Sequence, residues 1–481
     1  MSGHLAVQKT LRLGGAALAV SAFAGAGVGA QAAAARSDSP DRTIKQLERI
    51  VHERVDSERS TGIVAGMVFP DGSTRVVAYG DAGDGRRLDE RSVFEIGSIT
   101  KTFTGTLLAQ MAQRGEVRLS DPVASLLPPG VSVPSRNGRQ ITLEDLATQT
   151  SGLPRLPTNL QPKDPTNPYA DYTVEQLYEF LGGYQLTRDP GTQYEYSNLG
   201  VGLLGHALAL RANKSYEDVV RKRILEPLHM PSTAITPTAA MARHFAAGHQ
   251  TVGRIAPYWD LPTLAGAGAL RSSITDMLRY AAANLDDDGD SLRRAIAATH
   301  VPRKTIDSNM QIGLNWHILH AGERDIVWHD GGTGGFATFI GIDEERDTAI
   351  VVLSNTSATN VDDIGFHLLD KQLPLEPDPP KRHQIALPAK VLERYAGIYD
   401  LGGATVKITS SPQGLIAHVP DQGTVQLYAQ TKTTFFFKVP DAQFFLGAVD
   451  ATVTFQLGSG ETVTGFVLDH DGQTIPAKRI G

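Results

Sequence analysis

The sequence predicts a mixed α/β chain followed by a small all-β domain. Strand-like runs lie at both ends of the larger part, as a hairpin over residues 63–78 and as four runs between residues 311 and 353. Between them, residues 98–300 show mainly the 3.6-residue periodicity of amphipathic helices. Toward the C-terminus, short strand-like runs recur at the spacing typical of a sandwich or barrel. We therefore predict an α/β unit over residues 38–375 and a barrel-like all-β domain over residues 389–481.

The first elements of the α/β unit have clear local signals. Asp41 is a candidate N-cap for a helix over Ile44–Val55. Ile63–Phe69 and Thr74–Ala78 are strand-like runs on either side of Asp71-Gly72, a dipeptide that favours a tight turn. The sequence therefore predicts one helix and then a β-hairpin at the start of this unit.

A proline-rich linker separates the two predicted units. Five prolines lie between residues 374 and 388, and proline cannot continue a helix but favours an extended chain. We assign residues 376–388 to this linker. The strand candidates beyond it are residues 405–409, 415–419, 424–429, 434–439, 444–449, 451–457 and 463–468.

The composition excludes several classes of protein. The 481 residues carry 45 Lys and Arg against 52 Asp and Glu, a net charge of −7, and 41% of them are hydrophobic. This is a globular composition without the basic patch that a nucleic-acid partner would need. Because cysteine is absent, disulfides, thiolate nucleophiles and cysteine zinc sites are excluded. The acidic run over residues 286–290 does not predict an EF-hand, since Ala297 stands where the calcium loop needs glutamate. We expect no metal and no cofactor.

The N-terminus has the layout of a secretory signal peptide. Lys9 and Arg12 precede an apolar run from Leu13 to Ala30, and Ala30-Gln31-Ala32 has the small residues of a cleavage site. A membrane anchor is the alternative, but glycines interrupt the run and alanine rather than leucine dominates it. We therefore predict a removable leader over residues 1–32, export to a periplasm or the exterior, and no stable membrane insertion.

Ser98 and Lys101 form a Ser-x-x-Lys pair at the start of a predicted helix. This spacing places both side chains on one helix face, so that a basic group stands beside the serine hydroxyl. A serine is a weak nucleophile until a neighbour removes its proton, and a helix N-terminus adds positive potential for an oxyanion. Four-residue matches also occur by chance, and a capping serine with an exposed lysine is the alternative.

Two further motifs follow this pair, Tyr196-Ser197-Asn198 and His329-Asp330-Gly331. Together with Thr150-Ser151-Gly152-Leu153-Pro154, the three motifs resemble those of the serine β-lactamase and penicillin-binding protein superfamily. The similarity is to the branch of class C β-lactamases, D-Ala-D-Ala carboxypeptidases and related esterases, and it covers residues 45–360. The resemblance implies an antiparallel sheet flanked by helices, with a helical subdomain. The C-terminal domain resembles the lipocalin-like tail of some members.

The resemblance also implies a role for each motif residue. Ser98 matches the acylated nucleophile, and Lys101 and Tyr196 match the groups that handle its proton. Which of these two is the base stays open. Asn198 matches the amide that holds Lys101 and the substrate. The remaining predicted binding residues match the strand that flanks the site, and they are His329, Gly331 and Gly332. The main-chain N–H of Gly332 would form the oxyanion hole together with that of Ser98.

The last motif departs from the β-lactamases proper, which carry Lys-Thr-Gly. Asp330 either repels a substrate carboxylate or turns away by strand alternation, and both placements stay open. The predicted function is a serine hydrolase that cleaves amide or ester bonds, in β-lactams or D-Ala-containing peptides, through a Ser98 acyl-enzyme. The alternatives are a carboxylesterase or D-stereospecific amidase, and a penicillin-binding sensor without turnover. The expected partner is a small-molecule or peptide substrate, and the oligomeric state is not predicted.

Overall fold

The computed structural model describes most of the chain in two compact units. The described residues are 39–286, 289–402, 405–419, 423–446, 448, 450–470 and 472–481. The predicted leader over residues 1–32 lies outside them. The first unit contains residues 40–56 and 60–376, and the second contains residues 57–59 and 377–481.

Helices and short strands alternate through the first unit. Its helices are α1 (Pro40–Asp56), α2 (Thr100–Gln113), α3 (Leu143–Ala147), α4 (Val174–Gly183), α5 (Asn198–Arg211), α6 (Tyr216–Val220), α7 (Ala239–Ala242), α8 (Ile274–Leu285), α9 (Ser291–His300) and α10 (Asp362–Leu369). Its strands are β1 (Gly62–Val68), β2 (Thr74–Gly80), β3 (Val93–Glu95), β4 (Ser135–Arg136), β5 (Arg139–Gln140), β6 (Gly248–Thr251), β7 (Arg254–Ala256), β8 (Arg271–Ser273), β9 (Lys304–Thr305), β10 (Met310–Ile312), β11 (His317–Ala321), β12 (Arg324–Gly332), β13 (Ala337–Asp343) and β14 (Thr348–Ser354). Helix α1 begins earlier than predicted because Pro40 is tolerated in a first helical turn.

An eight-stranded antiparallel sheet forms the centre of the first unit, in the order β2-β1-β14-β13-β12-β11-β10-β9. Both faces of β1 are buried: Ile63 packs in the core beneath α1 and α10, whereas Val64 packs in the larger core with α2 and α8. This architecture confirms the predicted antiparallel sheet flanked by helices.

Helix α2 runs through the larger core and carries the serine–lysine pair at its start. Residues Thr100–Met111 are all buried, so the helix has no solvent face over this span. Thr102 and Thr106 are hydrogen-bonded to the Tyr280 hydroxyl of α8, at 3.1 and 3.3 Å. The site is therefore built on a helix that tertiary packing holds on every side.

The second unit is a closed eight-stranded antiparallel barrel. Its elements are α11 (Ala389–Leu392), β15 (Gly397–Asp400), β16 (Thr405–Ser411), β17 (Gly414–Val419), β18 (Gly423–Ala429), β19 (Thr434–Phe436), α12 (Val439–Leu446), β20 (Ala451–Leu457), β21 (Val463–His470) and β22 (Gln473–Arg479). The barrel confirms the predicted all-β domain, and it encloses an apolar cavity of about 70 Å³.

One predicted strand of this domain is wrong. Residues 444–446 of the segment predicted over residues 444–449 belong instead to α12, because Pro440 and Asp441 occupy the first turn of that helix, where both residue types are favoured. Two strands that the sequence did not indicate, β15 and β22, pair with each other through Tyr399 and Arg479 and close the barrel.

Among the described residues, no helix has the length and hydropathy needed to cross a membrane.

Candidate active site

Ser98 lies in a tight turn between β3 and α2. Gly97, Ser98 and Ile99 form one turn of 3₁₀ helix, in which Gly97 has a φ of +50°. A Cβ at Gly97 would lie 2.7 Å from the main-chain nitrogen of Gly332, so only glycine fits. This close approach brings the end of β12 against the turn and leaves Ser98 half-buried.

Lys101 is fully buried and makes three polar contacts. Its Nζ lies 2.8 Å from Ser98 Oγ, 2.8 Å from Asn198 Oδ1 and 2.6 Å from the carbonyl oxygen of Ala267. Burial holds the pKa of Lys101 well below its usual value, and the charge of Arg155 lowers it further, against a smaller opposing effect of Asp330. The lowered pKa favours the neutral amine, which could accept a proton from Ser98.

Tyr196 and Asn198 come from the start of α5. Ser197 caps this helix by accepting a hydrogen bond from the Gly200 N–H at 2.8 Å. Tyr196 is hydrogen-bonded to Ser98, and Lys101 Nζ lies 4.8 Å from the centroid of its ring. Burial and then the Asp330 carboxylate raise the pKa of Tyr196 well above its usual value, so its hydroxyl keeps its proton.

His329 is buried beside this cluster. Its ring centroid lies 6.3 Å from that of Tyr196, and its Nδ1–H donates to the main-chain carbonyl of Asp330 at 2.6 Å. Burial, with a smaller contribution from Lys101, lowers the pKa of His329 to about 3. The imidazole is neutral at physiological pH, so this strand supplies no cation where the β-lactamases proper carry lysine.

Gly331 and Gly332 end β12 next to the serine turn. A Cβ at Gly331 would lie 2.1 Å from the carbonyl oxygen of Ile96, whereas a Cβ at Gly332 would meet nothing within 4 Å. The first glycine is needed for close packing, and the second is exposed. The structure thus brings the other six sequence-predicted site residues around Ser98.

Asp330 lies on the opposite face of β12 from His329. Its neighbour Trp328 and its cross-strand partner Phe339 both pack in the core beneath α1 and α10. Strand alternation places Asp330 on that face, and burial and then the Asp330 carboxylate raise the pKa of Asp362 at the start of α10. The carboxylate nevertheless stays close to the site, because its Oδ1 lies 3.8 Å from His329 Nδ1 and its charge raises the pKa of Tyr196.

Several residues around the site were not found from the sequence. The Ala267 carbonyl acts through a main-chain atom, which has no signature in a sequence. Tyr169 accepts a hydrogen bond from Asn198 Nδ2 at 3.3 Å. Arg155 places its guanidinium carbon 5.1 Å from the centroid of the Tyr196 ring. The position of Arg155 directly after the Thr150–Pro154 motif is the feature of the sequence that could have indicated its place near the site.

A second histidine lies behind His329. The His317 ring centroid is 5.2 Å from that of His329, and the Tyr194 hydroxyl lies 3.0 Å from His317 Nε2. Burial, and then His329, lower the pKa of His317 to about 3. The sequence assigned no role to His317, and its contacts with Tyr194 and His329 make it a support for the wall of the site.

The serine turn is also held from behind by Glu95, the last residue of β3. Its Oε1 accepts a hydrogen bond from the Trp259 N–H at 2.8 Å, and Arg271 Nη2 lies 3.5 Å away. Burial raises the pKa of Glu95 to about 7. Trp259 in turn packs edge-on against Tyr169, with 5.5 Å between ring centroids. Loops from three parts of the chain therefore fix the turn.

Comparison with known proteins agrees with this architecture. The sequence model of the β-lactamase family matches residues 47–371, and that of a domain of unknown function, DUF3471, matches residues 381–479. The D-alanyl-D-alanine-carboxypeptidase/endopeptidase AmpH of Escherichia coli is 30% identical over 311 residues, which are 61% of this chain and 80% of that protein. A β-lactamase of the same organism is 26% identical over 355 residues, which are 66% of this chain and 90% of that protein.

Solved structures show the same fold. A β-lactamase/D-alanine carboxypeptidase from Yersinia pestis, complexed with citrate, superimposes with a TM-score of 0.61 at 24% identity, over 70% of this chain and 100% of that one. A mutant class C β-lactamase superimposes with a TM-score of 0.60 at 21% identity, over 70% of this chain and 99% of that one. The family model covers more than half of the sequence, and its motifs meet at one serine. The chain therefore belongs to the β-lactamase family and is a serine hydrolase.

Proposed function

We propose that the protein cleaves amide or ester bonds, in D-alanine-containing peptides or β-lactams, through an acyl-enzyme on Ser98. The observation that carries the proposal is the contact of Lys101 Nζ with Ser98 Oγ at 2.8 Å. A neutral amine has two N–H donors and one lone pair. Asn198 Oδ1 and the Ala267 carbonyl are acceptors that take both donors. The lone pair is then left for the Ser98 hydroxyl.

Acylation follows from this arrangement. Ser98 Oγ attacks the substrate carbonyl carbon while its proton passes to Lys101 Nζ. The developing oxyanion faces the main-chain N–H groups of Ser98 and Gly332. When the scissile bond breaks, the Tyr196 hydroxyl gives its proton to the leaving group, and the Lys101 ammonium restores that proton to the phenolate. The products are the Ser98 ester and the free amine or alcohol.

Deacylation runs through the same groups. A water molecule attacks the ester carbonyl while its proton passes to Tyr196 or Lys101. The oxyanion again faces the N–H groups of Ser98 and Gly332. Collapse of this intermediate breaks the bond to Ser98 Oγ, which takes a proton back, and releases the acid. Each step uses only groups that the chain itself provides.

The peptide substrate class is supported by the carboxypeptidase and β-lactamase relatives. The neutral His329 favours a second candidate, a carboxylesterase or D-stereospecific amidase, since a strand without a cation does not need a substrate carboxylate. These two candidates differ in the compound that they turn over and share the Ser98 ester.

Turnover and intact mass test the proposal. The purified protein is mixed in turn with a D-Ala-D-Ala peptide, a chromogenic cephalosporin and a short-chain aryl ester. We expect hydrolysis of the peptide or the cephalosporin and a transient mass increase on Ser98. Ser98→Ala should abolish both hydrolysis and adduct, and retained activity would refute the mechanism. Turnover of the ester alone would assign the second candidate, and a stable adduct without turnover would assign a penicillin-binding sensor.

We propose further that residues 1–32 direct export and are then removed. The basic residues, apolar run and small-residue site of that segment support this assignment. Expression in a bacterium with a periplasm, followed by fractionation and mass measurement, tests it. We expect the exported protein to begin near residue 33, and a full-length chain in the cytoplasm would contradict the assignment.

A further inference from the structure

Arg155 places an exposed positive charge beside the proposed proton donor. Its guanidinium carbon lies 5.1 Å from the centroid of the Tyr196 ring, within the range of a cation–π contact. The side chain is exposed, whereas Lys101, at 4.8 Å from the same centroid, is fully buried. The two basic groups beside this ring therefore have opposite access to solvent and to a substrate.

The backbone at Arg155 is held against the start of α5. Ser197 Oγ donates to the Pro154 carbonyl at 2.7 Å, and the Leu199 N–H donates to the Arg155 carbonyl at 3.2 Å. Tyr196 belongs to the same turn as these two donors. These two hydrogen bonds therefore hold the main chain at Arg155 next to the turn that carries Tyr196.

The charge of Arg155 has no acidic partner within the described part of the chain. The exposed Arg49 pairs with Glu53, and Arg188 pairs with Glu195, but no carboxylate of the described residues lies within ion-pair distance of Arg155. Its charge nevertheless acts on the site: beside the larger effect of burial, it lowers the pKa of Lys101 further and opposes the rise in the pKa of Tyr196. An exposed cation that is not neutralised, next to reacting groups, is available to an anionic ligand.

The geometry also indicates which part of a substrate this cation would meet. The atom that Tyr196 protonates is the leaving nitrogen or oxygen. A carboxylate on the carbon next to that atom lies only two bonds away, which brings it within reach of a cation that contacts the Tyr196 ring. The neutral His329 supplies no charge to bind it from β12.

We infer that Arg155 binds a carboxylate on the leaving-group side of the scissile bond and thereby selects substrates whose leaving group is an amino acid or another acid. The guanidinium fork matches a carboxylate in two parallel hydrogen bonds. This inference rests on the proposed function, because it needs Tyr196 to face the leaving group. Arg155 would then provide a carboxylate contact that lies outside the motifs of Ser98, Tyr196 and His329.

Binding to an inactive variant tests the inference without relying on turnover. In the Ser98→Ala background, calorimetry compares N-acetyl-D-alanyl-D-alanine with the same peptide amidated at its C-terminus. We expect the acid to bind about tenfold tighter or more, as a charge-assisted bidentate contact gives. Adding Arg155→Ala should weaken binding of the acid by that factor and leave the amide unchanged. Arg155→Lys should recover part of the preference, because lysine keeps the charge without the fork.

Arg49→Ala is the matched control, since it removes an exposed arginine from α1, which packs on the other face of the sheet. It should leave both affinities unchanged. Equal affinities for acid and amide in the Ser98→Ala protein, no binding of the acid, or a preference that survives Arg155→Ala would each overturn the inference. Hydrolysis of the peptide by Ser98→Ala would instead overturn the proposed function.

Discussion

Two basic side chains lie beside Tyr196: Lys101 in the buried pocket of the site and Arg155 at its exposed rim. The two side chains differ in their exposure to solvent and in their polar contacts. Lys101 is 0% exposed, and three polar atoms contact its Nζ. Arg155 is exposed, and its guanidinium contacts the ring face. Burial lowers the pKa of an amine, whereas an exposed guanidinium keeps its charge.

This difference gives the two basic groups beside Tyr196 different roles. The lowered pKa of Lys101 provides a proton acceptor, and the raised pKa of Tyr196 provides a proton donor. Arg155 contributes to the first effect because its positive charge disfavours a second one nearby. Lys101 and Tyr196 in the pocket therefore transfer protons, whereas Arg155 at the rim presents a positive charge to solvent. Three predictions concern the pocket.

The largest effect is expected from Lys101→Arg. Arginine keeps a positive charge but cannot be deprotonated, so it cannot accept the proton of Ser98. We expect acylation to slow by about 10²–10⁴-fold, the usual contribution of a general base. Stopped-flow measurement of acyl-enzyme formation checks the rate. Lys101→Arg that acylates within tenfold of the wild type would mean that a buried charge, and not a free amine, activates the serine.

Tyr196→Phe should give the next largest effect, and its size should depend on the leaving group. Loss of the hydroxyl removes the proton donor, which an amide needs and an activated aryl ester does not. We expect a loss of about 10²-fold in kcat/KM for the peptide and a much smaller loss for the ester.

Tyr194→Phe is the matched control for this substitution. Tyr194 lies two residues away, and its hydroxyl contacts His317 Nε2 rather than Ser98. Its removal should leave both rates within a few-fold of the wild type. Equal losses on peptide and ester in Tyr196→Phe would show that the hydroxyl only orders the site.

The smallest effect concerns the two neutral histidines of the pocket. The folded-state pKa values of His317 and His329 are about 3, below the 6.5 of an unfolded chain, so the stability that they contribute is present above pH 6.5 and is lost as the pH falls. At pH 5 each should cost about 2 kcal/mol of folding free energy relative to pH 7. Urea unfolding at the two pH values measures this loss.

His329→Gln should reduce the loss of folding free energy between pH 7 and pH 5, because glutamine carries no titrating group. His383→Gln, at an exposed position of the second unit, should follow the wild-type pH dependence and serves as the control. If His329→Gln loses as much folding free energy between pH 7 and pH 5 as the wild type does, this imidazole is not held neutral by burial.

The sequence predicted those parts of the molecule whose signal is local. Ser98 and Lys101 stand one helical turn apart, and the glycines at positions 97 and 331 are required by close approaches to Gly332 and Ile96. Most strands of the sheet followed from runs of apolar residues, and their antiparallel arrangement from the resemblance. These features depend on residue type at a fixed spacing, which a sequence displays directly.

The remaining features depend on contacts between distant segments. Ala267 acts through its carbonyl, and Arg155 matters because Tyr196 packs beneath it. Strand β22 is mostly exposed and shows little alternation, so it is stabilised by pairing with β21 and β15 rather than by its own pattern. The apolar run before residue 449 fits a strand or a helix equally well, and the first turn at Pro440 decided between them.

The central claim is that Lys101 is a neutral amine in the resting protein. Titration of the lysine ¹³Cε signals by NMR measures this directly, with the Lys101 signal assigned by its absence in Lys101→Arg. We expect this signal to titrate well below the usual lysine range. A Lys101 signal that titrates with the exposed lysines near pH 10.4 would contradict it.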